Sequence, residues 1–140
     1  MTPNTNTDYA ALVLRVSSGA LFLAHGLLKV SVFTVAGTVA YFESLGFPAI
    51  MAYLTILAEL VGGTLLILGV AARIVSVALI PVLLGATWVH FANGWVFSNQ
   101  GGGWEFPLFW AIVQVAIAFL GSGAMALRIP ALERTLGQYA

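Results

Sequence analysis

The stretch Tyr9–Val32, YAALVLRVSSGALFLAHGLLKVSV, decides how the rest of the chain is read. It is long and apolar enough to cross a bilayer, which takes about 20 helical residues, yet it carries Arg15, His25 and Lys29. A charge within the hydrocarbon costs at least about 2.5–3.5 kcal/mol on insertion scales, so such a group faces protein or water and marks a candidate site. Arg15, Ser18, Phe22, His25 and Lys29 recur at alternating steps of three and four. On a helix that spacing places them along one stripe.

The remaining chain is of the same kind. Of 140 residues, 61% are hydrophobic and 7% charged, with a mean hydropathy of +1.02, where a soluble domain carries about 25% charged residues. The composition is that of an all-α membrane protein. Four apolar segments, about 9–32, 49–72, 74–91 and 106–127, predict an antiparallel four-transmembrane-helix bundle in a single domain, 1–140. Five basic and five acidic side chains balance to zero net charge, which gives no attraction for nucleic acid. Cysteine is absent, which excludes disulfides, thiolate metal sites and thiol redox chemistry. Met1–Asp8 is polar and lacks the basic region of a secretory signal, so the first segment reads as retained.

Between the first two spans, Val35, Val39, Phe42 and Leu45 recur at helical spacing, predicting a short interfacial helix over Thr34–Leu45. Gly46 stops it and Pro48 opens the next element. The second span holds one charge, Glu59, about 14 Å along its axis at about 1.5 Å per residue. Gly62 and Gly69 are one heptad apart, as are Gly19 and Gly26, and such small faces let membrane helices approach closely. Pro81 predicts a kink in the third span, and His90 lies near its end. Asn93–Glu105 reads as a flexible loop held to the interface by Trp95, Phe97 and Trp104, and Ala131–Ala140 as a short amphiphilic tail. With both termini cytoplasmic, Arg73, Arg128 and Arg134 share that side, Arg15 snorkels toward it, and Lys29 lies near the other face.

Up-down threading then brings His25 with Lys29, Glu59, His90 and Glu105 toward one outer face. By position along the helices, Lys29 and Glu105 belong to its mouth, His25 and His90 lie one to two turns in, and Glu59 is deepest. These residues, with Arg15, are the candidate ligand-binding set, and His25, Glu59 and His90 the candidates for proton transfer. Plainer roles stand beside each: Arg15 as an anchor or a partner for Glu59, Lys29 as a helix-end anchor, Glu105 as a helix cap, the histidines as hydrogen-bonding groups within the bundle. Two histidines on different helices could also ligate haem iron, or a divalent ion with the carboxylates, although no closely spaced ligand pair supports either.

Taken together, Arg15 with Gly19, Phe22, His25, Gly26 and Lys29, then Gly46–Pro48, Glu59 with Gly62, Gly63, Leu66–Gly69 and Arg73, then His90, then Glu105–Pro107, resemble the DoxX family of small four-helix membrane proteins. The likeness covers nearly the whole chain. It implies a prokaryotic plasma-membrane protein related to the DoxD subunit of thiosulfate:quinone oxidoreductase and to members associated with quinone stress and terminal oxidases.

The first functional expectation is a redox-associated subunit binding a quinone or similar small aromatic ligand in the outer half of the bundle. His25, His90 and Lys29 would donate to the ligand's carbonyl oxygens while Glu59 or Glu105 relays protons, with electrons supplied by a partner protein or cofactor. The alternatives are an accessory scaffold whose buried charges only fix helix pairing, a haem- or metal-binding bundle through His25 and His90, and a small carrier working as a homo-oligomer.

Overall fold

The computed structural model describes residues 5–137. Residues 1–4 of the polar leader and 138–140 of the tail lie outside the described residues. Among the described residues six α-helices follow one another: α1 (Thr5–Ser31), α2 (Val35–Ser44), α3 (Ala49–Leu68), α4 (Ala72–His90), α5 (Glu105–Leu120) and α6 (Pro130–Leu136). A 3-10 turn, Phe91–Asn93, extends α4, and no strand occurs among the described residues.

Local chemistry sets the boundaries. Thr34 caps α2 by accepting from Gly37 N–H through Oγ1. Gly46, at φ 84°, turns the chain into Pro48 and α3. At the far end of α3, Gly69 adopts φ 75°, and the N–H groups of Gly69 and Val70 donate to Leu66 and Leu65 carbonyls. This closure ends α3 at Leu68, four residues before the expected boundary at 72. Likewise Gly121 (φ 84°) and Gly123 (φ 63°) terminate α5 well short of the expected 127. α1, α3 and α4 with its 3-10 extension are long and apolar enough to cross a membrane. At 16 residues, α5 spans only about 24 Å at about 1.5 Å per residue.

Packing sorts the four long helices into two close pairs, α1 with α3 and α4 with α5. A β-carbon on Gly19 would stand 2.6 Å from Gly63 O, so glycine on both sides brings the α1 and α3 backbones together. Phe22, Leu66, Leu79 and Ile117, all buried, join the pairs into one core. The α3–α4 contact is thinner, and Leu79 seats on Gly62 within it.

The two ends of the bundle are finished differently. Below, the chain after α5 folds across the helix ends: Ala124 N–H donates to Asp8 O and Leu127 N–H to Leu68 O. Above, the stretch expected to be flexible is cross-braced. Asn93 Nδ2 donates to Gly101 and Gly102 carbonyls, Asn99 Nδ2 to Asn93 O, and Phe97 N–H to Glu105 Oε1. Trp104 stacks on Phe91 and meets Trp95 edge-on.

Candidate functional site

Lys29 and Glu59 form an ion pair between α1 and α3. Lys29 Nζ donates to both carboxylate oxygens at 2.8 Å. Lys29 and Glu59 therefore meet rather than lying at mouth and floor: a β-carbon on Gly26 would stand 3.2 Å from Glu59 Cβ, and Lys29, about one turn further along α1, reaches back to the carboxylate. The chain then doubles back as α2, whose buried Thr38 donates through Oγ1 to Lys29 O at 3.1 Å. Both side chains are largely covered, with 19% and 8% exposure, so each charge depends on the other for solvation. Replacing one partner should therefore cost more than replacing both. Lys29→Met and Glu59→Leu are each expected to destabilise by about 1–3 kcal/mol, with the double variant recovering much of that in thermal melts of detergent-solubilised protein.

The pair borders a cleft of about 1140 Å³ between α3 and α4, roofed by α2. Its walls are apolar, with Leu65, Val75, Leu79 and Val82 deep and Phe42 and Phe47 near the top. Lys29, Glu59 and His90 all line its upper part, on the α2 side of the Gly62–Leu79 contact. Gly85 faces it with no other atom within 4 Å of where a β-carbon would stand. Leu54, Leu57 and Val61 line it while remaining about half exposed, at 51%, 59% and 48%, so the cleft opens sideways between the helices.

Both histidines are held the same way. His90 Nδ1 lies 2.7 Å from Ala86 O and His25 Nδ1 2.8 Å from Leu21 O, each one turn back in its own helix. A carbonyl only accepts, so Nδ1–H is the donor in each, and Nε2 is the nitrogen left to meet anything else. His90 lines the cleft. The His25 ring instead packs on Trp110 of α5, at 5.3 Å between centroids.

The other candidates are placed elsewhere. Arg15, fully buried, donates to Leu66 and Ile67 carbonyls at the end of α3 and to Ser122 and Ala124 carbonyls beyond α5. Its partners are lower-end carbonyls and not Glu59. Arg73 does the same for α5, donating to Ala118 and Phe119 carbonyls at 2.9 Å. Cations at helix C-termini satisfy orphan carbonyls and oppose the helix dipole. Glu105 accepts from Phe97 N–H and ties down the upper loop. Among the described residues, no three His, Cys, Asp or Glu side chains converge as a metal site.

One buried network was not anticipated. Trp110 Nε1 and Gln114 Nε2 both donate to Ser18 Oγ, joining α5 to the α1 stripe. Gln114 is an amide in the middle of an apolar segment. The rule that led to Glu59, that polar groups in such segments face protein, applied to it equally.

Comparison with known proteins identifies the family. The DoxX family model matches residues 10–92, which takes in most of α1 and all of α2–α4, and with them Lys29, Glu59 and His90. A Bacillus subtilis (strain 168) protein named "Putative oxidoreductase CatD" is 34% identical over 124 residues, covering 89% of this chain and 88% of its own. No solved structure matches the chain. Family model and full-length relative point the same way: this multi-pass membrane protein belongs to the DoxX family.

Proposed function

We propose that this chain binds a small, membrane-dissolved aromatic molecule of quinone type in the α3–α4 cleft, as a redox-associated subunit of a prokaryotic inner membrane. The observation that carries the reading is the cleft: about 1140 Å³ of mainly apolar space whose charged and titratable lining groups sit in its upper part. A mostly apolar pocket with a few convergent polar groups is the general form of a small-molecule site. Its sideways opening gives a lipid-soluble ligand access from the acyl chains. Lys29 has one N–H beyond the two given to Glu59, and Glu59 and His90 Nε2 are groups able to take protons from the ligand.

In this reading α5 completes a fourth crossing and both termini are cytoplasmic, with Arg73 and Arg128 at the lower end. The name of the Bacillus relative, an oxidoreductase, supports a redox setting. With no cysteine in the chain, electrons come from a partner protein or a bound cofactor.

The test uses Gly85, where added bulk enters the cleft without displacing protein. Gly85→Leu is expected to weaken binding of menadione to nanodisc-embedded protein by at least about tenfold, a difference of about 1.4 kcal/mol, with the melting temperature unchanged. Binding unaffected by Gly85→Leu removes the cleft from the reading. Absence of binding of both menadione and its hydroquinone to folded wild-type protein favours a scaffold, for which Arg15 is the supporting observation, since its buried charge serves only backbone carbonyls.

A further inference from the structure

We infer that the preferred occupant of this cleft is an aromatic alcohol, a phenol or hydroquinone whose hydroxyl donates to His90 Nε2, in preference to a ring bearing carbonyls alone. The inference rests on the cleft reading above and goes further, because it assigns the chemical form of the ligand.

The direction of the hydrogen bond follows from His90's own helix. With Nδ1–H given to Ala86 O, the neutral ring keeps one polar atom, Nε2, which has a lone pair and no hydrogen. Among the described residues nothing donates to it. The upper loop comes close: a β-carbon on Gly102 would stand 3.3 Å from Cδ2 and 3.6 Å from Nε2. Bare glycine backbone therefore covers the ring there and brings no side-chain donor.

Lys29 gives two N–H groups to Glu59, and the Thr38 hydroxyl is directed to Lys29 and Thr34 carbonyls. Donors elsewhere in the cleft, the remaining Lys29 N–H and the Tyr41 and Thr55 hydroxyls, serve a ligand's carbonyl and hydroxyl oxygens alike, so they do not replace the donor that His90 Nε2 lacks. A ring carbonyl brought to Nε2 would set acceptor against acceptor. A hydroxyl supplies the missing proton, and between apolar walls that difference is not levelled by water. Donation from His90 to a ligand carbonyl would instead require a second proton on the ring, since the first is held by Ala86 O.

Full-length protein in lipid nanodiscs is titrated anaerobically with trimethylhydroquinone, with its dimethyl ether and with trimethylbenzoquinone, after subtracting partition into empty nanodiscs. The hydroquinone is expected to bind about tenfold more tightly than either of the others, and His90→Phe is expected to remove that preference. Ether or quinone binding as tightly as the hydroquinone overturns the inference and leaves the cleft reading intact. A preference that survives in folded His90→Phe protein overturns it as well. No binding of any of the three to folded protein overturns both. The comparison among ligands on the wild-type chain decides the matter without a variant.

Discussion

Arg15→Leu is expected to leave little folded protein. The guanidinium is buried and donates to four carbonyls drawn from α3 and from the segment after α5. Removing it takes the donor from the Ile67, Ser122 and Ala124 carbonyls, at about 1–3 kcal/mol each, while Leu66 O keeps Gly69 N–H; the total stability of an ordinary protein is about 5–15 kcal/mol. Arg15→Lys is expected to recover less than half the loss, because an ammonium cannot spread donors across chain segments as the planar fork does. The check is the fraction of protein that elutes as a folded species in mild detergent, with its thermal melt. Arg134→Leu is the control, since Arg134 lies exposed and, among the described residues, donates to Pro130 O at 3.3 Å. Arg15→Leu protein melting within a few degrees of wild type would refute the assignment of Arg15 as the lower-end clamp.

Gly63→Leu is expected to be nearly as damaging, for a steric reason. A β-carbon at Gly63 would stand 2.8 Å from both Gly19 O and Leu23 N, and these are backbone atoms that cannot swing aside. Overpacking of this kind costs about 1–3 kcal/mol even for a single added methyl, so Gly63→Ala should already be destabilising and Gly63→Leu more so. Because Gly63 lies one helical turn from Glu59, forcing α1 away from α3 also draws Lys29 off its partner. Gly85→Ala makes the contrast, with open space at its β-position, and should be neutral or stabilising by up to about 1 kcal/mol. Equal melting temperatures for Gly63→Ala and Gly85→Ala would mean that the α1–α3 approach is looser than described.

The site was legible in the sequence only in part. The Arg15–Lys29 stripe is the covered face of α1, since Arg15, Ser18 and Phe22 are buried and His25 and Lys29 half-buried, and helical periodicity was enough to show it. Depth was not legible. Counting residues from the start of each span assumed that all spans begin level, whereas packing sets Gly26 beside Glu59 and lets Lys29 reach back to the carboxylate. A ligand space in the bundle was expected, but its place between α3 and α4 and the part of Gly85 were not legible, because a space between helices has no residue of its own. Gln114 was visible as a polar group in an apolar run, but its partner Ser18 lies 96 residues away.

What the amino-acid order determined unaided is membrane residence, the order of the apolar helices, the glycine and proline break between α2 and α3, and the family, because hydropathy, helical period and the φ preferences of glycine and proline act over a few neighbouring residues. Tertiary structure alone decided which charges meet, that Arg15 serves carbonyls rather than Glu59, and that a cleft separates α3 from α4. Those outcomes depend on how near two helices come and how far one is shifted along the other. The Gly19–Gly63 contact sets the first for α1 and α3, and the fold of the whole bundle sets the second.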